Sequence, residues 1–293
     1  MVPQLPELHE RRELERIAVH VAREAARLVV DERPADLHVA STKSSATDIV
    51  TVMDQRAQDL IRERLGSVRP QDGFLGEEEG GAAGGSGITW VVDPIDGTVN
   101  YLYGIAAYAV SVAAVVGDPT VPGRWTPVAG AVVNPTSAEV FRAHVAGGAW
   151  LEVPGAAPRP LELHGGPPLA QALAGTGFGY DPVRREWQAR VLLQVIPHLR
   201  DIRRIGSAAL DLCAVAAGTL DCYFERGLNP WDLAAAWVVV TEAGGVVSGL
   251  AGGPPESAMV LAAPRALHPE LEALVRSAAE AAGDEPPLGQ AAE

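Results

Sequence analysis

A chain of 293 residues with 47% hydrophobic content can bury a sizeable core, and at roughly 150 residues per domain it holds one large or two medium domains. Its formal charge of −14, from 37 acids against 23 bases, argues against a general nucleic-acid binder, which needs a basic face. No apolar run approaches the ~20 residues of a membrane span, and the charged N-terminus (MVPQLPELHERRELER) lacks the apolar stretch of a secretory signal. Cys213 and Cys222 are the only cysteines, too few for a disulfide framework or a Cys-type zinc site. The expectation is a cytoplasmic protein with neither membrane nor nucleic acid among its partners. A phosphorylated substrate is still compatible with the acidic balance, because bound cations reverse local charge.

Leu14, Ile17, Ala18, Val21, Ala25 and Leu28 recur at helical spacing and predict an amphipathic helix over Glu7–Asp31. A second helix is expected over Thr51–Leu65. Ile88–Val92, Ala107–Val116, Val128–Val133 and Ala138–Val145 are short β-rich runs punctuated by Gly, Pro and Asn, so a largely antiparallel sheet is expected there. The stretch Val153–Pro168 (VPGAAPRPLELHGGPP) reads as a linker. Beyond it strands (Leu173–Gly177, Asp201–Ile205, Asp221–Glu225, Met259–Ala263) alternate with helices (Arg184–Ile196, Ser207–Ala217, Pro230–Ala243 and one after Pro269), the pattern of an α/β unit. Ser207 is placed to cap its helix. The chain thus divides into an α+β half (1–157), an α/β half (158–282) and a disordered tail (283–293), with no internal repeat.

Three acidic clusters carry the chemistry. GFLGEEEG holds Glu77, Glu78 and Glu79 after a short apolar strand. WVVDPIDGTVN places Asp93 and Asp96 at the end of a buried strand. NPWDLAAAWVVVTEAGG puts Asp232 in the first turn of a helix. Grouped carboxylates are costly unless neutralised, and Mg²⁺ prefers such hard oxygen donors. With no HExxH, clustered His or paired Cys on offer, the implied metal is Mg²⁺ or Mn²⁺. In DPIDGT, Pro94 stiffens the span between two acids, Gly97 admits a close ligand, and Thr98 opens a helix whose N–H groups suit a phosphate.

Each piece alone has a plainer reading. Asp96 could cap a helix at Gly97, and Asp232 could be a first-turn acid favoured by the helix dipole. Thr51 and Asp54 have capping-box spacing, and Glu77–Glu79 could be a solvated turn. Lys43 is the sole lysine against 22 arginines; bias towards Ala, Gly, Pro, Val and Arg would explain that without function. The conjunction of the three clusters is what points to a metal-assisted reaction.

These motifs resemble the signatures of the inositol monophosphatase family of Mg²⁺-dependent, lithium-sensitive phosphatases. STKSSATDIVTVMD, IRRIGSAALDLCAVAAGTLDCYFERG and the long N-terminal helix also fit, so the resemblance spans roughly Leu14 to Arg276. It implies a layered αβαβα sandwich of the inositol monophosphatase/fructose-1,6-bisphosphatase type, commonly a homodimer. It implies two to three Mg²⁺ ions per site: Glu77, Asp93 and the Ile95 carbonyl hold the first, Asp93, Asp96 and Asp232 the second, and Glu77 contributes to a third. Asp54 and Thr98 would orient and deprotonate the attacking water, with Glu78 behind Glu77. Gly97 and Thr98 would offer backbone N–H groups to phosphate, and Lys43 would act electrostatically.

By the same resemblance Glu225 reads the hydroxyls of a phosphorylated polyol, beside Asp232 and the turn Gly206, Ser207 and Ala208. A carboxylate facing vicinal hydroxyls can accept two hydrogen bonds; the plainer reading is a strand-end acid balanced by Arg226. Arg203 and Arg204 could lie at a dimer interface or at the pocket edge. DGTVNYLYGIAAYAVSVA is similar to bacterial inositol-1-phosphatases, with Tyr101 where Phe is common. The expected reaction is direct hydrolysis of inositol 1-phosphate without a phospho-enzyme. Relatives on this fold cleave fructose 1,6-bisphosphate, histidinol phosphate or 3′-phosphoadenosine phosphates, and some bacterial relatives bind the transcription machinery. No basic tail or aromatic RNA platform favours that last role here. Cys213 and Cys222 are expected to be buried and inert.

Overall fold

The computed structural model describes residues 5–43, 49–78 and 81–284. The expected tail, apart from Gly283 and Asp284, and Glu79 of the acidic run lie outside the described residues. The expected apolar stripe forms α1 (Leu8–Asp31), whose buried residues include Leu14, Ala18, Val21, Ala25 and Val29. After a short hairpin, β1 (Ser41–Thr42) and β2 (Ile49–Val50), comes α2 (Val52–Val68). Thr51 and Asp54 do form a capping box at its start.

The next strands are β3 (Gly73–Gly76), β4 (Ile88–Asp96), β5 (Ala109–Gly117), β6 (Trp125–Val133), β7 (Val140–His144), β8 (Ala149–Glu152) and β9 (Arg159–Leu161), and they form one seven-stranded sheet in that order. All its pairs are antiparallel except β3–β4. Strand β9 falls inside the stretch read as a linker. Its Pro160 sits opposite Trp150 on an edge strand, where a missing N–H is tolerated.

The later elements are β10 (Leu173–Thr176), α4 (Pro182–Val195), β11 (Asp201–Arg203), α5 (Ala208–Ala216), β12 (Cys222–Glu225), α6 (Pro230–Glu242), β13 (Gly245–Ser248), β14 (Val260–Pro264) and α7 (His268–Ala281). The six-residue helix α3 (Thr98–Tyr103) lies between β4 and β5. A second sheet runs β11-β10-β12-β14-β13. It is parallel across β11-β10-β12 and antiparallel at β14 and β13, so the α/β alternation gives a mixed sheet rather than a parallel one. Strand β13 had no separate signal, because Gly245–Ser248 follows an apolar helix without a change of composition.

Alternation along the strands builds the layers. Trp90 and Val92 face α1 and α2, whereas Val91 faces the opposite core with α5 and α6. In β12, Tyr223 joins that same central core, while Cys222 and Phe224 pack against α4 and α7. The sequence of layers is therefore α1/α2, seven-stranded sheet, α5/α6, five-stranded sheet, α4/α7, the expected αβαβα sandwich. Helix α6 is apolar almost all round because both its sides are covered. Both cysteines are buried and free, and burial pushes the Cys222 thiol up to about 12. Tyr101 uses the hydroxyl that Phe would lack to donate to Val29 O at 2.8 Å, tying α3 to α1. No helix among the described residues is long and apolar enough to cross a membrane.

Candidate active site

Asp93 and Asp96 stand three residues apart on β4. On a regular strand such residues face opposite ways. Here the β4–β5 register shifts between them: Asp93 pairs with Ser111 and Asp96 with Ala109. The bulge turns both acids to one side, next to the start of α6, where Asp232 sits. One oxygen from each of Asp93, Asp96 and Asp232 lies within 4.8 Å of the others. Three anions share that centre without a counter-charge among them, and Asp93 Oδ2 is buried with no hydrogen-bond partner among the described residues.

The electrostatics reflect this crowding. Burial, then Glu77, Asp96 and Asp232, lifts the Asp93 carboxyl well above the ordinary carboxylate range. Burial, then Glu77 and Asp96, does the same to Asp232. Asp96 rises only to about 6, because donors from Ser207 and Ala209 oppose its burial. An oxygen-only donor set with an orphaned buried carboxylate oxygen fits a hard divalent cation and suits neither zinc of the Cys/His type nor a soft metal.

Glu77 follows β3, its N–H donating to Val92 O at 3.1 Å beside Asp93. Glu77 and Glu78 are not freely solvated: Lys43 Nζ donates to Glu77 Oε1 at 2.7 Å and to Glu78 Oε1 at 2.8 Å. Burial works against the ammonium, but the two carboxylates outweigh it and hold its pKa above the usual lysine value. Burial, then Glu77, lifts Glu78 to about 7 despite Lys43. The lone lysine is thus part of the acidic centre.

Asp54 caps α2 with one oxygen and reaches Thr98 with the other. Its Oδ2 accepts from Thr51 N at 2.8 Å and Thr51 Oγ1 at 2.5 Å as a cap, while Oδ1 accepts from Thr98 Oγ1 at 2.9 Å. Burial lifts it to about 6, opposed by those donors. Thr98 Oγ1 also lies 3.0 Å from Ile95 O. The Ile95 side chain is buried with Met53, Ala57 and Tyr101, which fixes the carbonyl that the resemblance assigned to a metal. Asp232 likewise divides its oxygens: Oδ2 accepts from Asn229 N at 2.6 Å, completing a capping box.

Asp96 corrects the plainer reading. The residue capping α3 is Gly97, at φ 96°, a conformation that favours glycine. A Cβ there would stand 2.9 Å from Gly206 O. Asp96 instead caps α5: its carboxylate accepts from Ser207 Oγ at 2.6 Å, Ala209 N at 2.7 Å and Ala208 N at 3.3 Å. The donors of Ser207 and Ala208, expected to close over a substrate, face Asp96 in this structure, and Ser207 also caps α5 through Leu210 N as expected. Gly206 sits above them, its loop pinned by Asn100 Nδ2 donating to Ile205 O at 2.9 Å.

Glu225 ends β12. Tyr223 donates its hydroxyl to Glu225 Oε2, and burial lifts the carboxyl to about 7 while Arg204 opposes. Arg204 is therefore near enough to Glu225 to act on its charge, whereas Arg203 pairs with Asp201 at 2.6 Å on the surface. Two polar residues here escaped the sequence reading. Asn100 was passed over as part of a motif. Asp211, on α5, is one helical turn after Ser207, a spacing that places both on one face.

A model of the inositol monophosphatase family matches residues 10–280. The inositol-1-monophosphatase SuhB of Mycobacterium tuberculosis is 49% identical over 207 residues, 69% of this chain and 69% of that protein. A solved structure of Mycobacterium tuberculosis SuhB superposes with a TM-score of 0.76 at 42% identity, covering 92% of this chain and 97% of that one. A protein named Nus factor SuhB from Pasteurella multocida is 37% identical over 241 residues, 81% of this chain and 85% of its own. With its matched fold and acidic centre, the chain belongs to the inositol monophosphatase family of phosphoric monoester hydrolases.

Proposed function

We propose that this chain hydrolyses a small polyol phosphate monoester, inositol 1-phosphate before others, with Mg²⁺ held by Glu77, Asp93, Asp96, Asp232 and the Ile95 carbonyl. The observation that carries the reading is the convergence of Asp93, Asp96 and Asp232 within 4.8 Å, one of them with an orphaned oxygen. Bound there, divalent cations supply positive charge for the phosphate and a nucleophilic water at neutral pH.

The chain's own groups do the rest. Thr98 Oγ1, held between Asp54 Oδ1 and Ile95 O, orients the attacking water. Asp54, pushed up to about 6, is poised to take its proton near neutral pH. The first N–H groups of α3 have no intrahelical partner and face the position of the phosphate oxygens. Glu225 accepts from ring hydroxyls, with Oε2 already held by Tyr223. Water attacks phosphorus directly and the ester oxygen leaves, so no Ser or Cys nucleophile is needed.

Phosphate release from inositol 1-phosphate, fructose 1,6-bisphosphate, histidinol phosphate and 3′-phosphoadenosine phosphate, with Mg²⁺ and with EDTA, tests this. We expect metal-dependent turnover highest on inositol 1-phosphate, and inhibition by lithium. A different preferred ester overturns the substrate and leaves the chemistry. No metal-dependent release on any ester favours a binding role of the kind named for the Pasteurella relative.

A further inference from the structure

Gly175 of β10 and Gly177, just past its end, clear one face of this stretch. Gly175 and Gly177 are two residues apart and so point to the same side. A Cβ on Gly175 would stand 2.8 Å from Leu220 Cδ1, 2.9 Å from the Tyr223 ring and, in ordinary contact, 3.6 Å from Cγ of Asp211, and one on Gly177 would overlap the Glu225 carboxyl. Gly175 pairs with Tyr223 and Thr176 with Phe224, so Asp211 lies one residue pair inward from Glu225 on a shared face. Gly177 yields its side-chain volume to the Glu225 carboxyl, and Gly175 yields its own to Leu220 and Tyr223, with Asp211 in ordinary contact beside them.

Asp211 lies in the first turn of α5, where an acid suits the helix dipole, but its burial exceeds what that role needs. It is 1% exposed, yet its Oδ1 has no hydrogen-bond partner among the described residues. Leaving a buried polar atom unpaired is costly, and an apolar residue at this helix position would avoid that. Its strongest charged neighbour is Glu225, followed by Asp96, with Arg204 as the cation. Burial, then Glu225, lifts it to about 8.

We infer that Asp211 is a positioning residue for Glu225: it fills the space behind the Glu225 carboxyl, so that with Tyr223 on Oε2 the remaining oxygen is turned outward to read vicinal hydroxyls of a cyclic polyol. This rests on the substrate reading above and assigns its selectivity to a second carboxyl. The orphaned Oδ1 belongs to the hydrogen-bond network that forms around Glu225 when the hydroxyls arrive. The device selects a hydroxylated ring at that end of the site, because ring hydroxyls can donate to the outward carboxyl oxygen.

The test compares kcat and KM of wild type, Asp211→Asn and Asp211→Ala on inositol 1-phosphate and on 2-glycerophosphate, which lacks the ring. Asn keeps the volume and a polar oxygen; Ala opens the space into which Glu225 relaxes. For Asp211→Ala we expect the preference for inositol 1-phosphate over 2-glycerophosphate to fall about tenfold, carried by KM. For Asp211→Asn it should stay within about threefold of wild type. Equal losses on both esters, a preference that survives in Asp211→Ala, or an Asn variant as impaired as the Ala variant would each overturn the assignment. A wild type with no preference for the ring substrate would overturn the substrate reading and this inference together.

Discussion

Ser207 Oγ donates to Asp96 Oδ2 at 2.6 Å across 111 residues of chain, and the Ala209 N–H reaches the same oxygen at 2.7 Å. A carboxylate of the seven-stranded sheet thereby caps a helix that packs on the other sheet. The cap fixes which way Asp96 faces and holds the two sheets in register at the candidate centre. Ser207→Ala removes a charge-assisted hydrogen bond together with a cap, and should lower the unfolding free energy by about 1–3 kcal/mol. Urea unfolding measures it. A variant as stable as wild type would mean that the Ala209 N–H alone suffices.

Asp93 concentrates the conflict between stability and function. Its carboxyl is 1% exposed and stands against Glu77, Asp96 and Asp232. Asp93→Asn relieves that repulsion, so without metal the variant should melt higher than wild type. Mg²⁺ should raise the melting temperature of wild type in proportion to binding and do little to the variant, whose phosphate release should fall by at least about a hundredfold. Thermal melts with EDTA and with Mg²⁺ separate the two effects. Equal Mg²⁺ shifts in both proteins would remove Asp93 from the ligand set.

The same crowding sets a pH dependence with a definite sign. In the metal-free protein Asp54 and Asp96 lie at about 6, Glu225 at about 7 and Asp211 at about 8. All are above the ordinary values of 3.8 for Asp and 4.5 for Glu. The folded chain therefore binds more protons than the unfolded chain across this window, and stability falls as pH rises through it. The contribution is fully present only below the ordinary values, under about pH 3.8, and is lost by about pH 8 to 9. Mg²⁺ takes over the protons' role and should flatten the slope. Melting temperatures at pH 5, 7 and 8.5, with and without Mg²⁺, check this; a metal-free stability that climbs with pH would contradict it.

Much of this architecture was legible because the acids sit in motifs whose local chemistry is strong. DPIDGT signals a rigid, ligand-bearing turn, and Asn-Pro-Trp-Asp signals a helix start, so Asp93, Asp96 and Asp232 could be named from spacing and resemblance. What spacing could not convey was the bulge between Asp93 and Asp96, which depends on the neighbouring strand Ala109–Gly117. Nor could it show that Asp96 caps the helix of Ser207 rather than its own, because that contact spans the two sheets. Asp211 was invisible for a similar reason. An acid in an apolar helix reads as a solvated face until its burial near Glu225 and Asp96 is seen.

Lys43 provides the last case, since it competes with any cation for Glu77. Its ammonium is 2.7 Å from Glu77 Oε1 and 2.8 Å from Glu78 Oε1, and at such a partly buried site one unit charge shifts a neighbouring cation's binding by several kcal/mol before screening. Lys43→Gln deletes that charge and keeps a hydrogen-bond donor. Mg²⁺ binding should therefore tighten, by about tenfold after screening, while the metal-free protein loses stability because Glu77 and Glu78 face each other without a cation. Turnover should drop as well, since the ammonium's positive field near the phosphate is gone. Calorimetric titration with Mg²⁺ alone reads the first effect without reference to activity. Weaker Mg²⁺ binding in the variant would mean that the ammonium organises Glu77 for the metal instead of competing with it.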